Sequence, residues 1–256
     1  YLLCINAGNT AKDLDWITRK SAPFACRVLD VSTRYCQLAL QGPAAQRIAA
    51  GLTSVNLAEL KYYHFTEGKF AGYSSIISRT GYTGESGFEI YAPWEAGPEI
   101  ARSVLEAGGG LGLLLVGLGA RDSLRLEAGY PLYGHEISDT ITPFEGGIGW
   151  TVKLKKEAAF VGKEALREQK MAGISRRVLY FTVEDRRIAR PGTPVFVGDD
   201  AVGKVVSGTQ SPILNKPIGS ALVGAEYVSS PNLEVEVRGN RFAIRPGKPP
   251  LHLKNK

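Results

Sequence analysis

Short runs with apolar residues at every second position, broken by stretches of helical period, organise the first half of the chain. Residues 1–6, Tyr-Leu-Leu-Cys-Ile-Asn, read as a strand running into a loop, where Asn9 or Thr10 can cap a helix over 11–20 with Leu14, Ile17 and Trp16 on its apolar side. Residues 27–40 read as two strands joined at Ser32-Thr33-Arg34, and Gln41-Gly42-Pro43 opens a helix over 44–50. Residues 62–65 and 72–79 read as paired strands, 88–91 as a further strand, and 98–107 as a helix ended by Gly108-Gly109-Gly110. The apolar stretch 111–118 reads as a buried turn and strand, and 116–128 as a helix with Gly129 as its stop. This order predicts an α+β fold in which an antiparallel sheet carries its helices on one side.

From about Gly173 the texture changes. Residues 178–183, 193–197, 202–207, 218–224, 233–237 and 242–244 are short alternating strands with no helix between them, and Gly198-Asp199-Asp200 forms a hairpin turn. Such a series predicts a small β-barrel or sandwich. The boundary falls near Ala172, which divides the chain into an α+β region over 1–171 and a barrel domain over 172–256.

Composition narrows the function. A chain of 256 residues with 44% hydrophobic and 22% charged residues is ordinary for a soluble globular protein. No apolar run approaches the ~20 residues of a membrane span. The net charge of +6 favours anionic partners in general. No helix carries a basic stripe with interleaved aromatics, so nucleic acid is not expected, and the tail from Lys248 reads as solvated. Cys4, Cys26 and Cys36 lack CxxC spacing, which argues against disulfides and zinc and suits a reducing compartment. The opening on Tyr1 and a strand, with no charged leader, is not a secretory signal and predicts that something upstream is missing.

Candidate chemistry gathers in two places. Residues 81–87 hold glycines at three of seven positions, which suits either a hairpin loop or a tight backbone beside a ligand. Glu89 follows between Phe88 and Ile90, and alternation puts it on the opposite face of their strand. It is either a buried carboxylate that needs N–H partners or a solvent-facing residue on an edge strand, and spacing favours the second. Arg121 and Arg125 share one helix face beside Asp122, as an anion site or, by preference, a salt-bridge anchor. His135 is a lone histidine that reads as either a catalytic residue or, by preference, a structural loop residue, and neither His64 nor His252 has metal-ligand spacing. GxxxxGK[ST], GxSxG and GxGxxG are all absent, which argues against nucleotide-dependent and serine-hydrolase chemistry.

Two longer segments then carry a resemblance. They are residues 78–90, Ser-Arg-Thr-Gly-Tyr-Thr-Gly-Glu-Ser-Gly-Phe-Glu-Ile, and residues 117–136, Gly-Leu-Gly-Ala-Arg-Asp-Ser-Leu-Arg-Leu-Glu-Ala-Gly-Tyr-Pro-Leu-Tyr-Gly-His-Glu. Further anchors are Asn6-Ala7-Gly8-Asn9, Leu-Gln-Gly-Pro at 40–43, Gly-Gly-Ile-Gly-Trp-Thr-Val-Lys at 146–153, Phe-Val-Gly-Lys-Glu-Ala-Leu at 160–166 and Ser-Gly-Thr-Gln-Ser-Pro at 207–212. In this order the segments resemble the glycine cleavage T-protein family along nearly the whole chain.

The resemblance implies three domains in a ring around a central folate pocket, with residues 1–171 as two interleaved subdomains lacking their N-terminal part. It implies an aminomethyltransferase that takes its carbon from the lipoyl arm of the H-protein, releases ammonia and forms 5,10-methylenetetrahydrofolate from tetrahydrofolate. Carried over by motif, Asn6, Tyr82, Glu89, Arg121 and Trp150 line the pocket, with Glu89 and Arg121 converging on it. The family's catalytic aspartate belongs upstream of the Asn6 motif and would precede Tyr1; Asp13 and Asp15 are not substitutes, so these 256 residues are expected to lack turnover. The family often places a tyrosine where this chain has Ser220-Ala221-Leu222, which questions a barrel contribution to the pocket. The bacterial cytoplasm, or the mitochondrial matrix in a eukaryote, is the expected compartment. The alternatives are a folate-dependent demethylase of the same superfamily and a non-enzymatic folate-binding protein of iron–sulfur maturation. The latter's reactive-cysteine motif is not formed by Cys4, Cys26 or Cys36.

Overall fold

A hydrophobic face on every second residue forces a strand to bury one side, and in this chain helices of matching period supply the cover. A computed structural model describes residues 1–251 and resolves into two units. The first unit holds residues up to Gly81 together with Glu85–Leu115; the second holds Tyr82–Gly84 and the chain from Val116 onward. Residues 252–256, with His252 and the end of the basic tail, lie outside the described residues.

In the first unit, helix α1 (Thr10–Ser21) precedes β1 (Tyr35–Gln41), α2 (Ala45–Ala50), β2 (Phe65–Phe70), β3 (Tyr73–Ser78), β4 (Gly87–Pro93) and α3 (Gly97–Gly108). The strands form one antiparallel sheet in the order β1-β4-β3-β2. Phe88, Ile90 and Ala92 of β4, with Ile77 of β3 and Leu40 of β1, face Ile48 and Ala49 of α2 and Ile100 and Val104 of α3. Ala71 and Gly72, both at positive φ, close the β2–β3 hairpin, the backbone such two-residue turns require. Helices α2 and α3 therefore lie on one side of the sheet, and Glu89 and Tyr91 point to the other.

Three local expectations fail here. Residues 1–6 and 27–31 form no strand, and only Tyr35–Gln41 pairs within 27–41. A run of apolar and β-branched residues does not supply the ladder partner that a strand needs. Within 111–118, Leu111 and Leu113 pack on the core, whereas Leu114, Leu115, Val116 and Leu118 are 67–84% exposed. An apolar run is thus not buried throughout, because here the chain has left the sheet before it enters the next helix.

The second unit starts with α4 (Leu118–Ala128). Gly129 ends it at φ +78, where its N–H and that of Tyr130 close on the carbonyls of Leu126 and Arg125. A Cβ on Gly129 would stand 2.1 Å from Cβ of Pro249. Gly129→Ala therefore combines a left-handed backbone with a collision against a rigid ring, and is expected to cost about 2 kcal/mol or more in urea unfolding. Helix α5 (Lys163–Ala172) follows an irregular stretch and was not predicted; none of its residues is buried, so it has no continuous apolar face to betray it.

The barrel confirms all six predicted strands: β5 (Arg176–Val183), β6 (Pro194–Val197), β7 (Asp200–Ser211), β8 (Lys216–Gly224), β9 (Leu233–Val237) and β10 (Asn240–Gly247). They close in the order β10-β5-β8-β7-β6-β9, a barrel rather than a sandwich. Phe181, Val195, Val205, Ala221, Val223, Val235 and Ile244 fill it. Gly198 takes φ +59 in the β6–β7 hairpin.

Glu145 ties the irregular stretch to the barrel. It accepts from Arg176 Nε at 2.8 Å and from the Thr142 N–H at 2.7 Å. Burial pushes its carboxyl up, but these donors outweigh burial and hold it below the usual glutamate range. A depressed folded-state value gives stability that is present above the unfolded value and lost as pH falls through the folded one. Glu145→Gln is accordingly expected to flatten the acid limb of stability below about pH 4.3, read from urea midpoints across that range.

Candidate functional site

On the open face of the first unit's sheet, β4 lies between β1 and β3, so Glu89 is on a central strand and not the edge strand that spacing favoured. It sits opposite Ala39 and Ser78 and is half-buried. Gln37 Nε2 donates to Glu89 Oε1 at 3.0 Å and to the Tyr91 hydroxyl oxygen at 3.2 Å. The Thr80 hydroxyl bonds Glu89 Oε2, with Ser78 Oγ 3.0 Å from Thr80 Oγ1. The Cys4 thiol donates to Gln37 Oε1 at 3.3 Å and so fixes which way that amide turns. Burial, then the charge of Glu89, hold the Tyr91 hydroxyl well above the usual phenol range, so it stays a neutral donor. Each oxygen of Glu89 thus has one donor here and can take another, which suits a flat partner that offers two parallel N–H groups. Asn6, also in this unit, accepts from the Gly8 N–H at 3.1 Å and caps a short 3-10 turn ahead of α1.

In the second unit, Tyr82 donates its hydroxyl to the Pro131 carbonyl at 2.7 Å, and the Arg121 guanidinium lies over its ring at 4.7 Å. Burial raises the Tyr82 hydroxyl above its ordinary value, against the pull of Arg125. Arg121 itself is exposed. Trp150 sits on a 3-10 turn, is 67% exposed as a residue, and lines a cavity of about 380 Å³ with Phe144, Gln169 and Arg177. The five expected pocket residues are thus divided: Asn6 and Glu89 belong to the first unit, Tyr82, Arg121 and Trp150 to the second, and Tyr82 and Arg121 meet directly.

The two arginines of α4 have separate roles. Arg125 is 1% exposed and is the salt-bridge anchor. It donates to Asp122 at 2.8 Å, to Glu136 Oε2 at 2.9 Å and to Ser207 Oγ at 2.8 Å. Glu136 also accepts from the Leu132 N–H at 2.9 Å and the Ser220 hydroxyl at 2.5 Å. Burial works against the charge of Arg125, but Glu136 and Asp122 hold it above its ordinary value. His135 Nδ1 lies 2.6 Å from the Val206 carbonyl, an acceptor only, so Nδ1 is the donor in this contact. Glu127 is stapled to the barrel through Ser211.

Gln37, Thr80 and Glu136 went unread in the sequence. An amide, a hydroxyl and a carboxylate carry no distinguishing spacing, and their partners lie up to 84 residues away. Among the described residues, no group of three His, Cys, Asp or Glu side chains could hold a metal, and no helix is long and apolar enough to cross a membrane.

A helix-backed antiparallel sheet that presents a carboxylate on its open face, followed by a closed antiparallel barrel, defines a two-part α+β class of protein. Comparison with known proteins narrows it. A family model described as the GCVT N-terminal domain matches residues 1–156, and one described as the glycine cleavage T-protein C-terminal barrel domain matches residues 176–252. Proteins named aminomethyltransferase are similar to the chain: one from Bacillus mycoides is 46% identical over 94% of the chain and 66% of its own length, and one from Moorella thermoacetica is 46% identical over 100% and 70%. The crystal structure of a glycine cleavage system aminomethyltransferase T from Bartonella henselae matches at a TM-score of 0.87 and 31% identity, over 96% of this chain and 67% of that one. The chain belongs to the glycine cleavage T-protein family, and it spans about two thirds of the length of these relatives.

Proposed function

We propose that this chain serves the transfer of an aminomethyl carbon from the lipoyl arm of an H-protein to tetrahydrofolate, with release of ammonia and formation of 5,10-methylenetetrahydrofolate. The observation that carries the reading is Glu89, a half-buried carboxylate with one donor on each oxygen, in a chain whose relatives bear the name aminomethyltransferase. A pterin edge offers the ring N–H and amino N–H that such a carboxylate takes. Tyr82 is held by Pro131 and covered by Arg121, which leaves an exposed guanidinium for the folate's carboxylate tail. Trp150 offers an exposed ring for packing, and Asn6 an amide. When bound, tetrahydrofolate supplies the nitrogens that accept the carbon.

The acid that orders the proton transfers of this reaction has no counterpart matched by motif in residues 1–256. We therefore expect these residues to bind tetrahydrofolate without turnover. The reading also places the reaction in a bacterial cytoplasm or a mitochondrial matrix.

Calorimetric titration of tetrahydrofolate tests binding. Reduced, aminomethylated H-protein, with product followed as methylenetetrahydrofolate, tests turnover. Absence of folate binding sinks the reading, and full turnover by residues 1–256 sinks the expectation of a missing acid. Product analysis with a methylated substrate would reveal demethylase chemistry instead.

A further inference from the structure

We infer that Gln41 is the positioning residue for Glu89: its side-chain amide clamps the two ends of the glycine-rich loop and so sets Thr80 against the Glu89 carboxylate. The functional meaning of this rests on the reading of Glu89 above. Gln41 ends β1 opposite Gly87, and the neighbouring Gly42 N–H donates to the Ser86 carbonyl at 2.8 Å. Its Nε2 lies 3.1 Å from the Thr80 carbonyl and 3.3 Å from those of Phe88 and Leu40. Thr80 is the last residue before the loop, and Phe88 directly precedes Glu89. One amide thus joins the peptide group that carries the Thr80 hydroxyl to the peptide group next to the carboxylate that this hydroxyl bonds.

The glycines at the loop's two ends follow from this. A Cβ on Gly81 would stand 1.8 Å from Gln41 Oε1, and one on Gly87 2.5 Å from Gln41 Nε2 and from the Leu40 carbonyl. Neither glycine has the positive φ that would demand it on conformational grounds; at Gly81 the space is filled by the end of the Gln41 side chain alone, and at Gly87 by that side chain and the Leu40 backbone carbonyl together. The glycine density that suited either a hairpin or a ligand-hugging backbone therefore answers at Gly81 to an internal side chain, and at Gly87 to that side chain and the adjoining backbone of β1. The third glycine, Gly84, has φ +77 and lies against Ala128, where a Cβ would come within 2.8 Å.

The test has three arms on the same chain. In the first, Gly81→Ala is made alone and together with Gln41→Ser. The melting-temperature loss from the alanine is expected to largely disappear in the Gln41→Ser background, and equal losses in both backgrounds overturn the clamp. In the second, the 13C carboxyl resonance of Glu89 is compared at neutral pH in Gln41→Met and in Ile100→Val, a core change in the same unit. The resonance is expected to move in Gln41→Met and not in Ile100→Val. No movement in Gln41→Met, or equal movement in both, overturns the positioning role.

The third arm is the tetrahydrofolate Kd, expected to rise about tenfold in Gln41→Met and to stay unchanged in Ile100→Val. A chain that binds no folate strikes the reading of Glu89, while the first two arms still decide the place of Gln41. A chain that binds folate with a Kd indifferent to Gln41→Met strikes the positioning role alone.

Discussion

Replacing Arg125 with methionine is expected to remove about 3–5 kcal/mol of folding stability, the largest loss from any single change proposed for this protein. Methionine matches the length of the arginine stem and keeps its packing, so the loss reports the guanidinium. Without it, Glu136, itself 0% exposed, retains the Ser220 hydroxyl and the Leu132 N–H but no counter-charge. Ser207 and Asp122 lose a partner as well. Urea unfolding followed by circular dichroism measures the difference. A second variant separates charge from packing: adding Glu136→Gln to Arg125→Met removes the stranded charge and should recover part of the loss. A loss below about 1 kcal/mol for Arg125→Met would mean that the ion pair is no anchor.

Glu89→Gln is expected to weaken tetrahydrofolate binding by roughly 10- to 150-fold, the equivalent of a hydrogen bond to a charged group worth about 1.5–3 kcal/mol. The substitution keeps the size of the side chain and can still accept from Thr80, at the cost of the bond from Gln37, an exchange confined to the open face of the sheet. It places an amide NH₂ where the proposed ligand presents N–H groups, and removes the charge that draws them. Arg121→Ala should weaken binding less, because its guanidinium is exposed and screened. Calorimetric titration, with melting temperature as the control for folding, reads both. An unchanged Kd in a folded Glu89→Gln variant sinks the proposed role.

The residues alone determined a good deal. Period-two alternation in short runs with tight turns picks out all six barrel strands, because closing a sheet on itself fixes which face is buried on every strand. The same rule put Phe88 and Ile90 on one face of their strand and Glu89 on the other, and the fold made theirs the buried one. It identified the stop of α4 at Gly129, since only a glycine takes that backbone freely. A face, however, is not a partner. Residues 27–31 are rich in β-branched and apolar side chains like a strand and have none, and Leu114, Leu115, Val116 and Leu118 are apolar yet exposed.

What only the tertiary structure decided is which of two similar side chains does what. Arg121 and Arg125 are four apart on one helix and look alike in sequence. Arg125 is buried against Glu136 and Ser207, the latter 82 residues away, whereas Arg121 lies on the surface over Tyr82. Glu89 was a candidate by resemblance, but spacing favoured a solvent-facing role; the donors Gln37, from a neighbouring strand, and Thr80, just before the loop, come to its two oxygens only in the fold. The physical reason is common to both cases. Periodicity follows from the geometry of one element, whereas the energy of a buried polar group depends on donors and acceptors brought from distant parts of the chain.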